Sequence, residues 1–237
     1  MSRRRPTVQT IHLGLMLALT FSTGIADAVG YLGLDKVFTG NMTGNVVILG
    51  MALAGADGLP VVGPAVALAG FMAGAAVAGR ALRGIEASWN SITTTILLTI
   101  GLILCAMTVY LAIEPNATRG ANHVIVAGVL ATTMGAQAAT ARHLAVKDVT
   151  TVVVTSTITG LSADSWLGGR VAQPWVRRLL AILLISAGAT VGALLLRLHL
   201  ATGVGLSGAI TLAAALAGHF YGRVASAPTR DSQKIHA

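Results

Sequence analysis

Apolar residues run along this chain in long unbroken stretches separated by short polar ones. Eight apolar segments can be drawn, at about residues 10–34, 43–56, 60–82, 91–113, 121–141, 150–163, 176–198 and 202–222. Six of them reach the roughly 20 residues that an α-helix needs to cross a bilayer. The second and the sixth fall short and are rich in Thr, Ser, Asn or Gly. Runs such as ILLTIGLILCAM (96–107) and LLAILLISAGA (179–189) do not alternate between apolar and polar, as the strands of a membrane β-barrel do over about ten residues. The pattern predicts an all-α polytopic membrane protein: six transmembrane helices plus two short polar re-entrant or broken half-helices.

The first short segment, FTGNMTGNVVILG from Phe38 to Gly50, sets two Asn and two Thr within Thr39 to Asn45. Irregular polar backbone at membrane depth persists only where protein or a watery cavity covers it. This segment is therefore the first place to look for a site.

Composition agrees with a membrane chain. The 237 residues are 54% hydrophobic and only 10% charged, against about 25% charged in a soluble domain. A net charge of +8 would suggest nucleic acid in a soluble protein. Here the lysines and arginines gather at segment ends, where they set topology, and no nucleic-acid partner is expected.

The charges also decide which segments cross. Place Arg3, Arg4 and Arg5 in the cytoplasm. If all eight segments cross, Lys36, Arg80, Arg83, Arg142, Lys147 and Arg197 fall outside. If the two short ones re-enter, only Lys36, Arg119 and Arg197 of the 16 basic residues do. The positive-inside rule favours the second arrangement, with both termini and a polar tail (223–237) in the cytoplasm. It also puts Trp89, Trp166 and Trp175 at the inner interface and Tyr31 and Tyr110 at the outer one, where aromatic belts form. The stretch from Arg170 to Arg178 either rests on anionic headgroups or is simply solvated. Arg3 to Arg5, an apolar run and Ala26-Asp27-Ala28 resemble a secretory signal with its cleavage site, but the run continues to Leu34, as an uncleaved first span does.

The chain reads as a single membrane domain, 1–237, whose halves, 10–113 and 120–222, echo each other. Gly24 precedes Asp27-Ala28, Asp35-Lys36, Thr39 and Thr43; Gly135 precedes Gln137-Ala138, Lys147-Asp148, Thr151 and Thr155. The offset is 111 for Gly24/Gly135 and 112 for Thr39/Thr151 and Thr43/Thr155. Gly70 and Gly74 in one half match Gly188 and Gly192 in the other; such pairs let helices approach closely, joining either the halves or two protomers of a homo-oligomer. With three crossings per half the second half is inverted, a common transporter and channel plan.

The strings GIADAVGYLGLDKVFTGNMTGNVVILG (24–50), GAQAATAR (135–142) and TSTITG (155–160) resemble the YoaK-type family, small bacterial integral membrane proteins that share one domain of unknown function. The resemblance covers nearly the whole chain. It implies about six spans in the bacterial inner membrane and brings no established substrate or catalytic residue. The family's G-x-L-T habit stands here as Thr157-Ile158-Thr159, without the preceding Gly.

Asp27 is the one acid well inside a long segment, and an ionisable group there is costly unless it faces the bundle or a cavity. Thr23 and Tyr31 share its face at i−4 and i+4. Asp27 is either a proton-coupling or solute-binding carboxylate, or a structural acid bonded to the polar backbone of the 38–50 segment. Thr39, Asn41, Thr43, Gly44 and Asn45 surround the start of the first half-helix, where Asn and Thr cap well and free N–H groups carry partial positive charge. Thr151, Thr155 and Thr159 recur on one face of the second, and Gln137 with Thr133 and Thr140 forms a polar stripe on its span. All of these are candidate solute contacts; each could equally glue helices together.

Other chemistry is not expected. Cys105 is the only cysteine, and none of the six His pairs at i,i+4 with another, so neither metal nor cofactor is indicated. Asp27 and Asp164 fall near opposite faces, too far apart for an acid pair, and no mid-span His could serve a Ser or Cys nucleophile. The expected activity is secondary transport of a small neutral or anionic solute through a polar site near the midplane. A passive channel and a purely structural membrane protein are the alternatives.

Overall fold

The computed structural model describes residues 8–144, 154–170 and 172–225. They form eight helices: α1 (Val8–Gly33), α2 (Met42–Leu53), α3 (Val62–Ala81), α4 (Ser91–Ile113), α5 (Asn122–Leu144), α6 (Val154–Ala163), α7 (Trp175–Leu196) and α8 (Leu200–Ala225). Six are long and apolar enough to cross a membrane; α2 and α6 are not. The predicted segments and the helices agree to within a few residues. Lys147 and Thr151 lie outside the described residues.

Close contacts at glycines give the long helices their relative directions. Gly188 packs on Phe21 and Gly192 on Ile25, so α1 and α7 run parallel. Gly70 packs on Gly128 and Gly74 on Thr132, so α3 and α5 do too. Gly101 meets Leu212, Gly208 meets Cys105 and Gly205 meets Thr108, which makes α4 and α8 antiparallel. Were α6 a further crossing, α4 and α8 would have to run parallel. Were α2 one, α1 and α7 would run antiparallel. Neither short helix crosses.

The first re-entry is also visible locally. Asp35 and Lys36 adopt left-handed backbone, with φ of 55° and 59°, which costs a side-chain-bearing residue roughly 1–2 kcal/mol. This turn sends the chain back into the bundle. Lys36 Nζ then donates to the Gly58 carbonyl at 2.7 Å, and Gly63 packs on Val37. The end of α1 and the start of α3 therefore share one end of the bundle.

Small residues make the helix contacts close. Gly24 lies against the Ile185 carbonyl on α7, and Gly135 against the Phe71 carbonyl on α3. Gly188 lies on the Phe21 carbonyl and Gly74 on that of Thr132. The glycine pairs thus join α1 to α7 and α3 to α5, across the two halves. Packing matches Gly74 with Gly188, one helical turn away from the match that sequence spacing suggested, because backbone approach and not residue type sets the register.

A lane of buried polar groups crosses the core. Ser22 Oγ lies 2.7 Å from Ser207 Oγ, Thr211 Oγ1 donates to Gln137 Oε1 at 3.5 Å, and Gln137 Nε2 donates to Thr23 Oγ1 at 3.1 Å. Each is buried and partnered, as groups without water must be.

One aromatic departs from the belt expected of it. Trp89 sits at the predicted end but is buried, its Nε1 donating to Thr94 Oγ1 at 3.1 Å, because Gly218 on α8 leaves room for its ring. Tyr31, near the other end of α1, stays exposed and stacks on Phe38, with ring centroids 4.7 Å apart.

Candidate functional site

Asp27 lies six residues before the end of α1, about 9 Å along the axis. The chain returns to its level before α2 begins. Asp27 Oδ1 accepts the Gly40 N–H at 2.6 Å and the Asn41 N–H at 3.2 Å, with Thr39 Oγ1 at 3.5 Å. These are backbone donors that precede a helix and would otherwise be orphaned. Oδ2 accepts no hydrogen bond among the described residues. A Cβ at Gly40 would lie 3.0 Å from the Thr23 methyl, a tight contact, and in ordinary contact with the carboxylate.

Asn41 caps α2, its side-chain oxygen accepting the Gly44 N–H at 3.2 Å. Asn45, one turn in, is buried and clamps the incoming loop: its Oδ1 accepts the Phe38 N–H at 2.9 Å and its Nδ2 donates to the Phe38 carbonyl at 2.7 Å. The T-G-N motif thus divides its work. Gly44 lets the Phe38 ring lie against the helix, Asn45 fixes the loop, and Thr43 stays open to the space in front.

That space is a cavity of about 530 Å³. Asp27, Asn41, Thr43 and Gly44 line it from the first half, with Tyr31 and Phe38 as an aromatic wall. Val154 and Thr155, the first described residues of α6, line it from the second half, together with Ile185 near the middle of α7. From there α6 runs for about 15 Å to a polar clamp at the start of α7, where Arg178 pairs with Asp164 at 2.8 Å. From this one cavity the described parts of the two half-helices run toward opposite ends of the bundle.

Half of the predicted contact set gathers at this cavity: Asp27, Asn41, Thr43, Gly44 and Thr155. Thr39 is buried behind it, beside Asp27. Asn45 is a structural clamp. Gln137 faces α1 and α8 in the core rather than the cavity, because α5 turns that face toward Thr23 and Thr211. Thr159 is exposed one turn beyond Thr155 and does not line the cavity, and Thr151 lies outside the described residues. Phe38, Val47, Ile48 and Ile185 line the cavity without having been singled out. For Ile185 no sequence signal existed, since an isoleucine in a span reads as packing.

Among the described residues no cluster of His, Cys, Asp or Glu could hold a metal ion. The arrangement offers the start of α2, the Thr43 and Thr155 hydroxyls, the Asp27 carboxylate and an aromatic wall.

Residues 15–217 match the family described as "Protein of unknown function (DUF1275)". The chain is 32% identical over 193 residues to the UPF0700 transmembrane protein YoaK of Bacillus subtilis (strain 168), covering 76% of this chain and 82% of that protein. No solved structure matches. A profile spanning most of the chain, together with this relative, places the protein among multi-pass transmembrane proteins: it belongs to the DUF1275 family.

Proposed function

We propose that the protein is a small secondary transporter of the bacterial inner membrane, with cytoplasmic termini, that binds a small neutral or anionic solute in the cavity between α2 and α6. One observation carries the reading: one partly open cavity is lined by the first turn of α2, by the first described residues of α6 and by Asp27. Each helix start contributes about half a positive charge. An ionised Asp27 offsets them, which suits a neutral polar solute. A protonated Asp27 leaves the positive ends uncompensated, which suits an anion. No catalytic step is assigned to the site.

The exchange of contacts between halves, Gly24 on Ile185 and Gly135 on Phe71, supports a 3+3 inverted repeat. Transporters built this way place their substrate between broken helices at the repeat interface and rock one half against the other.

A passive channel is the second reading, and the engagement of Asp27 Oδ1 by backbone N–H groups favours it, since an acid used as a cap need not cycle protons. Proteoliposome flux separates the two. Transport expects uptake driven by a pH gradient and lost in Asp27→Asn. A channel expects flux without a gradient that Asp27→Asn spares. Absence of any solute-dependent flux or thermal stabilisation, with Thr43→Ala and Thr155→Ala indistinguishable from wild type, would leave the structural reading.

A further inference from the structure

A second cavity, of about 700 Å³, lies at the α6–α7 turn, at the end of the bundle where α3 ends and α4 begins. Trp166, Arg170 and Trp175 line it. The turn is a built structure. Gly169 N–H donates to the Ala163 carbonyl at 2.7 Å and Arg170 N–H to that of Ser165 at 3.1 Å. Gln173 Nε2 reaches back to the Leu161 carbonyl at 3.1 Å, while Arg178 bonds both Gln173 and Asp164. That last contact neutralises the one acid on the cavity wall.

The charge left facing the cavity is Arg170. Its backbone is left-handed, with φ of 51°, and its guanidinium lies 5.7 Å from the centre of the Trp166 ring, with Nε donating to the Trp166 carbonyl. One edge of the planar group is thus spent on positioning, and the other is presented outward, suited to a phosphate. Trp166 is 74% exposed and Trp175 56%. Large aromatics exposed at a span end belong at headgroup depth. From Trp175 an exposed apolar strip climbs α7 through Leu179 and Leu183 toward the bilayer centre, the course an acyl chain would take.

We infer that this cavity is a binding site for the headgroup of an anionic phospholipid, its phosphate on Arg170 between the two Trp rings and its chain along α7. A basic group backed by aromatics, continuous with an apolar strip, fits an anionic lipid better than a soluble anion, which would leave Trp166 and Trp175 in water.

The test uses the full chain in detergent, titrated with phosphatidylglycerol, with phosphatidylcholine of the same chains, and with inorganic phosphate. Bound lipid is read by native mass spectrometry and stability by melting temperature. The expected result is saturable binding of phosphatidylglycerol over phosphatidylcholine, no stabilisation by phosphate, and about fivefold weaker binding in Arg170→Gln, the share of one arginine near an anionic surface. Trp166→Leu, at an exposed position, should weaken binding as well. Arg83→Gln, exposed at the same end but off the cavity, should not. Equal losses in Arg170→Gln and Arg83→Gln, equal affinity for both lipids, or stabilisation by phosphate alone would each overturn the assignment.

Discussion

Asp27 on α1 holds the Gly40 N–H at 2.6 Å, tying a transmembrane helix to the backbone that opens the first re-entrant helix. The carboxylate occupies the positive end of α2, where a negative charge is favoured, and so offsets much of the cost of an acid at membrane depth. Of the two readings of Asp27 available from sequence, the hydrogen bonds to Oδ1 show the structural one; the solute-binding one belongs to the proposed function.

Asp27→Leu removes acceptor and charge, and should destabilise the protein by about 1.5–3 kcal/mol, the worth of hydrogen bonds to a charged group. Asp27→Asn keeps an oxygen acceptor and should cost less. Thermal unfolding of the purified protein checks the order; a Leu variant as stable as the Asn variant would remove the capping role.

Asn45→Ala breaks both bonds to the Phe38 backbone. Leaving these buried groups unsatisfied should cost roughly 1–3 kcal/mol and loosen the entry loop. In a Cys105→Ser background, a cysteine at Thr43 should then label faster than without Asn45→Ala. Unchanged labelling and melting temperature would show that the loop is held by something else.

Gly135→Ala and Gly24→Ala should each destabilise by about 1–3 kcal/mol or more, the usual cost of overpacking, since a Cβ at either position meets backbone of the partner helix. Gly79→Ala has no neighbour within 4 Å and should be neutral or stabilising by up to about 1 kcal/mol through helix propensity. Melting temperatures of the three variants check the contrast; tolerance of Gly135→Ala would separate α3 from α5.

Single cysteines at Asp57 and Gly58 should label from the same side of the membrane as one at Asp35, and from the side opposite Arg83. Membrane-impermeant labelling of intact cells reads this directly. Labelling of Gly58 from the side opposite Asp35 would make α2 a crossing and dissolve the site.

Much of this was legible in the residues. Span lengths, the two short segments and the shared end of Lys36, Arg119 and Arg197 follow from hydropathy and charge, which act one residue at a time. A cap among Thr39, Asn41, Thr43 and Asn45, and an Asp27–backbone bond as one of two readings, were also legible, because both are tied to one short polar segment; the structure chose Asn41 and the bond. Gln137 shows where such reading stops. Its stripe with Thr133 and Thr140 was visible, but a polar stripe does not say whether it faces a cavity or other polar side chains. Trp89 stops it in the same way: a tryptophan at a span end reads as a belt residue until Gly218, far along the chain, supplies a slot.

The sequence by itself determined that this is a six-span helical membrane protein with two polar half-helices, since the bilayer imposes length and hydrogen-bonding demands that any chain must answer segment by segment. Only the tertiary structure decided which polar groups form the site. Thr43 and Thr155 meet at one cavity because glycine-scale contacts set how closely α1 packs on α7 and α3 on α5, and that register is a property of pairs of distant backbones, written in no single segment.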